Sequence, residues 1–166
     1  MELKDSGVRR EFDTGAVRDI ADGKGRCDLL PLEIICKYFN YTDPGHDIVL
    51  VAIESYIRTG NEDFLHEALV SFVSRRGWDK YTAMLEVSKH YEDGARKYSD
   101  RNWERGIPLH CYINSGVRHY LKYLRGDTDE PHDRAFLWNM LGALWTAENK
   151  PEMVDLPFAG KEGDNG

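Results

Sequence analysis

Two cations alternate with glycines at Gly23, Lys24, Gly25 and Arg26, just ahead of Cys27, Asp28 and Pro31. Glycine accepts positive φ and lets the backbone approach a ligand closely, lysine brings a point charge, and arginine a forked set of donors. The pattern suits phosphate held at the start of a helix that Asp28 caps and Pro31 enters in its first turn. A plain cationic turn, with glycines that merely permit the bend, uses the same residues. Further along, Ser115, Arg118, His119 and Lys122 share one helical face opposite an apolar stripe, because each residue advances about 100°. That face is either a solvated surface or a seat for an anion.

Carboxylates come next. If the final helix starts near Asp129, Glu130 and Asp133 lie on the side of Leu137, Leu141 and Leu144, and so point inward. Buried carboxylates need a partner. Glu92, beside the stripe of an earlier helix, can approach them across the bundle, and with His132 they form a candidate ligand set for Mg²⁺ or Mn²⁺. The alternative leaves both acids exposed at a helix N-terminus, where the dipole favours them. Asn102 and Trp103 precede Gly106 and Pro108 and offer an amide to read a base edge and a ring to stack on it. A loop tryptophan that plugs the edge of a core is the other use.

The elements that must position these groups read as helices. Residues 1–26, with Gly7, Gly15, Gly23 and Gly25, read as an irregular arm. A first helix is expected over 29–39, with Leu30, Ile34 and Tyr38 on one stripe, followed by a turn over 41–45. Residues 48–58 are apolar on most sides and suit a buried helix or a strand. From Asn61, Phe64, Leu65, Ala68, Leu69, Phe72 and Val73 recur at helical spacing, and Gly77 is a C-terminal stop. Residues 78–98 carry a stripe of Tyr81, Met84, Leu85, Ser88, Tyr91, Ala95 and Tyr98, and 99–108 read as a polar loop. Ile113, Val117, Tyr120, Leu121 and Leu124 define a helix closed by Gly126. Thr128 or Asp129 then caps a last one, with Pro131 in its first turn and Leu137, Trp138, Leu141, Leu144 and Trp145 along it. The expectation is an all-α, single-domain bundle of five or six helices with an irregular N-terminal arm. It forms one nucleotide-binding domain over 1–148, with 149–166 as a mobile tail.

At 166 residues, 41% of them apolar and 31% charged, the chain has the balance of an ordinary globular domain, and no apolar run is long enough to span a bilayer. Residues 1–12 have no apolar signal core, so a cytoplasmic location is expected. Cys27, Cys36 and Cys111 are odd in number and scattered, which argues for reduced thiols over a disulfide framework or a cysteine zinc site. A net charge of −7 argues against binding a nucleic-acid polymer, while the local clusters of Lys and Arg suit a small anion such as a nucleotide. No nucleophile elbow, P-loop or nucleophilic triad occurs.

Two resemblances sharpen this. The His132–Asp133 pair resembles the metal-dependent HD phosphohydrolases, which implies a ligand set of His90 or His119, His132 with Asp133, and Asp155. More of the chain is similar to a phage-associated family of dATP/dGTP diphosphohydrolases, N-terminal domain, MazG-like in activity and linked to dGTP hydrolysis in 2-aminoadenine synthesis. The residues that carry the similarity are SGVRREFDTGAVRDIADGKGRCDLLP at 6–31, HYEDGARKYSDRNWERGIP at 90–108, SGVRHYLKYLRG at 115–126, and Trp138 with Asn139. The resemblance implies a metal-dependent pyrophosphohydrolase of purine dNTPs, a phage protein in the host cytoplasm and a homo-oligomer. Arg18, Lys24, Arg26, Lys97, Arg118 and His119 would hold substrate with Asn102 and Trp103, and Glu92, Glu130 and Asp133 would serve catalysis. The chain departs from the family by inserting 39–89 and by placing Glu130, Pro131, His132 and Asp133 where Glu-Asp-His-Leu is usual. Those departures keep a second reading in view: capture of a nucleotide or cyclic oligonucleotide signal without hydrolysis. A helical interaction module with no nucleotide affinity is the third.

Overall fold

Asp47, Asn61 and Asp79 each stand one residue ahead of a helix, and their side chains accept its first backbone N–H groups. The helices they open are α1 (Ile48–Thr59), α2 (Glu62–Arg76) and α3 (Lys80–Lys97). Two more follow, α4 (Leu109–Arg125) and α5 (His132–Asn149), and Gly77 and Gly126 close α2 and α4 in the left-handed conformation. These elements come from a computed structural model that describes residues 7–21, 23–32, 34–35 and 47–156. The architecture is all-α, with one small two-stranded sheet. No helix among the described residues is long and apolar enough to cross a membrane.

The core follows the apolar spacing. Leu65, Ala68 and Phe72 of α2 meet Val49, Ile53 and Tyr56 of α1, and Phe72 reaches Tyr120 and Phe136 edge-on or tilted, at centroid distances of 5.9 and 4.5 Å. Asp47 also ties three helices together: its carboxylate accepts Arg75 Nη1 at 2.7 Å and Tyr120 Oη at 2.9 Å while capping α1. The most extensive pairing joins α4 to α5, and glycines let the two approach. A Cβ on Gly116 would stand 2.7 Å from Met140, and one on Gly142 would stand 2.3 Å from the Tyr112 ring.

Several expectations need correction. The arm is not irregular throughout: β1 (Arg9–Glu11) pairs antiparallel with β2 (Val17–Asp19), Arg10 opposite Arg18, around a turn closed by Phe12 and Ala16. The signal was present as Asp13, Thr14 and Gly15 between two short polar–apolar runs. Asp28 does not cap a helix; Cys27–Leu29 is a 3-10 turn, and Asp28 accepts Arg26 Nε at 2.8 Å. Leu32, Ile34 and Ile35 are helical, whereas Cys36, Tyr38, the rest of the helix expected over 29–39 and the turn over 41–45 lie outside the described residues.

In α3 the inward face is Ala83, Val87 and His90, and Glu86 beside it meets Arg134 of α5 at 2.6 Å. Tyr81, Met84 and Leu85, expected to face the core, are 63, 58 and 67% exposed. The start of the tail is held in place. Pro151–Met153 forms a 3-10 turn, and Asp155 accepts the backbone N–H of His110 at 3.0 Å, supplying the cap that Pro108 cannot. Residues 157–166 lie outside the described part.

Candidate functional site

The α4 face that carries Ser115, Arg118, His119 and Lys122 forms the floor of an open groove of about 1460 Å³. The C-terminal half of α3, the hairpin and the Gly23–Arg26 loop build its walls. Arg18, Lys24, Arg26, Lys97, Asn102, Trp103, Arg118, His119, Glu92 and Glu130 all line it. Of the residues singled out from sequence, Asp28, His132, Asp133 and Asp155 do not.

Three buried asparagines fix the arm against the helices. Asn102 accepts Val17 N and donates to Val17 O, both at 3.0 Å; Asn114 Oδ1 accepts Cys27 N at 2.8 Å; Asn139 Oδ1 accepts Arg18 Nη2 at 3.1 Å. Asn102 therefore positions β2, with both ends of its amide engaged by the Val17 backbone. Lys97 is likewise engaged, donating to Asp19 at 2.7 Å beside the Tyr98 hydroxyl. Gly23 and Gly25 take φ of 76 and 84°, as their place around Lys24 requires, and the Lys24 carbonyl accepts Arg118 Nε at 3.3 Å.

Arg118 meets only carbonyl oxygens among the described residues, those of Lys24 and Asn114. Burial lowers its pKa from the ordinary guanidinium value. Arg18 lies 5.4 Å from the ring centroids of both Tyr112 and Trp138, and its Nη1 is buried without a hydrogen-bond partner among the described residues. His90 is 7% exposed and its Nδ1 is also unpartnered; desolvation, then Arg18 and Arg134, push its pKa down to about 4, so it is neutral at pH 7. Trp103 packs edge-on against Trp145 and Tyr91 at the far end of the groove. Sequence reading missed Tyr112 and Asn114 and named His90 only as an alternative ligand of the HD-type set; polar residues on otherwise buried helix faces were the available signal.

The carboxylates do not gather as expected. Pro131, not Asp129, is the residue before α5, so the helix begins later and Glu130 falls outside it. The three-residue spacing then no longer puts Glu130 and Asp133 on one face. Glu130 turns to the groove, 4.0 Å from His119 Nδ1, while Asp133 accepts Arg76 Nε at 3.0 Å. Glu92 stands at the rim, exposed and paired with Arg96. Asp129 accepts His132 Nε2 at 2.8 Å and Lys122 at 3.2 Å. Desolvation, then the neighbouring His132, holds His119 neutral, well below the usual imidazole pKa.

The HD-type set is not formed either. Asp155 belongs to His110, whose pKa rises to about 9 through its contacts with Cys111 and Asp155. The sequence holds another His-Asp pair at His46 and Asp47; Asp47 is a helix cap, and His46 lies outside the described residues. Cys27 and Cys111 are free thiols.

A helical body whose cleft collects guanidinium and ammonium groups beside histidines and carboxylates has the make-up of a nucleotide-phosphate site. A family model described as dATP/dGTP diphosphohydrolase, N-terminal, matches residues 73–156, and the chain belongs to that family. The match runs from the end of α2 through α5, and the hairpin and the Gly23–Arg26 loop lie outside it. No curated protein and no solved structure matches the chain.

Proposed function

We propose that the protein is a metal-dependent pyrophosphohydrolase of purine deoxynucleoside triphosphates, releasing the monophosphate and pyrophosphate. The observation that carries this reading is the meeting of Arg18, Lys24 and Arg118 with Glu130 and His119 in one groove, in a chain of this family. Arg18 and Arg118 donate to phosphate oxygens and balance the charge that builds up as the bond between the α-phosphorus and the leaving pyrophosphate oxygen breaks. Lys24 and Arg26 extend that grip along the phosphate chain, and Trp103 offers its ring to the base. Glu130 and His132 are the part of the expected Mg²⁺ or Mn²⁺ set retained in the proposal; Glu92 and Asp133, engaged elsewhere, are not. A cation held there supplies Lewis-acid polarisation and a more acidic water.

The expected result is conversion of dGTP or dATP, with Mg²⁺ or Mn²⁺, to monophosphate and pyrophosphate in equal amounts, each followed by chromatography. No turnover of any dNTP by folded, metal-loaded protein would overturn the proposal. The separation of Glu92, Glu130 and Asp133 favours one second reading, capture of a nucleotide or cyclic oligonucleotide without cleavage. Recovery of intact ligand from heated complex would mark it.

The exposed Tyr81, Met84 and Leu85 of α3 are also where we place the contact of a homo-oligomer. Light scattering should then give a mass above 19.1 kDa that falls to it in Leu85→Glu. A monomer at all concentrations contradicts this. The setting that accompanies the proposal is phage nucleotide metabolism in the cytoplasm of the host.

A further inference from the structure

His119 Nδ1 and His132 Nδ1 face each other at 2.9 Å, with ring centroids 5.2 Å apart. Glu130 Oε2 lies 4.0 Å from His119 Nδ1, and the three ligand atoms lie within 4.8 Å of one another. With metal–nitrogen bonds of about 2.1 Å, two adjacent octahedral ligands stand about 3.0 Å apart, and two tetrahedral ligands about 3.4 Å. The nitrogen pair has the octahedral spacing but meets head-on, nitrogens and ring centroids lying nearly in one line. An imidazole must therefore swing to bring both lone pairs onto one ion, and Glu130 must close about 1 Å from its present distance.

The other side of His132 supports the same use. Its Nε2–H donates to Asp129 at 2.8 Å, which leaves the Nδ1 lone pair directed at His119. A ligating imidazole backed by a carboxylate in this way is oriented and made more basic. The competing trio of Asp127, Asp129 and His132 is already matched by cations, Arg125 on Asp127 at 2.8 Å and Lys122 on Asp129 at 3.2 Å. His119 and Glu130, by contrast, line the groove and leave the remaining coordination positions open to it.

We infer that His119, His132 and Glu130 form a two-histidine, one-carboxylate site for a divalent transition metal of the Mn²⁺ or Co²⁺ class. Two imidazoles are poor ligands for Mg²⁺, which takes oxygen, and suit borderline metals well. The inference refines the cofactor of the proposed hydrolase and rests on that reading only for its catalytic meaning. It gives His119 a ligand's role in place of a substrate contact and leaves Asp129 as a positioning residue.

The test is direct binding of Mn²⁺ to the full chain, read by the loss of the free-ion electron paramagnetic resonance signal and by nitrogen hyperfine coupling to the bound ion. One equivalent should bind with nitrogen coupling, and excess Mg²⁺ should not displace it. His119→Gln, checked for folding by its melting temperature, should weaken Mn²⁺ at least tenfold; Asp129→Asn should weaken it about 10–100-fold without being a ligand. Absence of nitrogen coupling, or unchanged Mn²⁺ affinity in His119→Gln, overturns the site and marks the histidine pair as an N–H···N hydrogen bond. Nitrogen-coupled Mn²⁺ without dNTP turnover upholds the site and sinks the hydrolase; turnover with Mg²⁺ and no nitrogen coupling does the reverse.

Discussion

Arg18→Met should abolish most nucleotide turnover while leaving the stability of the protein close to that of the wild type. The wild-type guanidinium is held by one hydrogen bond to Asn139 and by the faces of Tyr112 and Trp138, with Nη1 buried and unpartnered. A buried donor without an acceptor costs about 1–3 kcal/mol, and methionine removes it while keeping the volume and the contacts with the rings. The Asn139 Oδ1 it leaves unpaired costs about as much, so the two changes offset. A donor aimed at developing phosphate charge contributes about 3–4 kcal/mol to the transition state, so kcat/KM should fall about 10²–10³-fold. The pairing of the two readouts is diagnostic: a group kept for structure lowers both when removed. A drop in melting temperature of several degrees, or activity within a few-fold of wild type, would contradict the assignment.

The second large effect is on the fold. Alanine normally stabilises a helix interior by about 1 kcal/mol over glycine. At Gly142 the new Cβ would meet three atoms of the Tyr112 ring at 2.3 to 2.8 Å, and that ring is fully buried with Trp138 at 5.5 Å behind it. Overpacking of this kind costs about 1–3 kcal/mol or more, and the severity of the overlap places Gly142→Ala at a net loss of about 2–3 kcal/mol. For a chain of this size that corresponds to a melting temperature lower by about 4–12 °C. Gly94→Ala in α3 is the internal control, since nothing lies within 4 Å of its Cβ position and the helix-propensity gain should appear alone. Calorimetry that finds both variants shifted in the same direction would refute the close-approach account. Tyr112 also lies beneath Arg18, so Gly142→Ala should raise KM as well.

What could be read in advance followed from short-range spacing. Asn61 and Gly77 bound α2 because capping and stopping are decided within one turn, and the Phe64 to Val73 stripe is a matter of 3.6-residue periodicity. The α4 face of Ser115, Arg118, His119 and Lys122 emerged from the same arithmetic, and it is the groove floor. The rotation of α3 was misread because two apolar stripes share the helix, Ala83 with Val87 and Tyr81 with Met84 and Leu85, and spacing alone does not say which one a neighbour covers. The carboxylate geometry failed for a smaller reason: moving the start of α5 past Pro131 rotates Glu130 away from Asp133. The partners of Asn102 and Asn139 are 85 and 121 residues distant, and nothing in a local window announces them. Candidate cations were therefore easier to find than their pairing: Arg118 and Lys97 looked alike in sequence, yet Lys97 is bound to Asp19 and Arg118 meets carbonyl oxygens.

Those asparagines bear on affinity as well as on shape. An anion gripped by Arg18 on the arm and Arg118 on α4 can be bound only by molecules whose arm is docked, so apparent affinity equals intrinsic affinity multiplied by the docked fraction. By holding Val17, Cys27 and Arg18 in register before any ligand arrives, Asn102, Asn114 and Asn139 favour the docked arm. The ordering cost of the arm is thereby met during folding and is not deducted from each binding event.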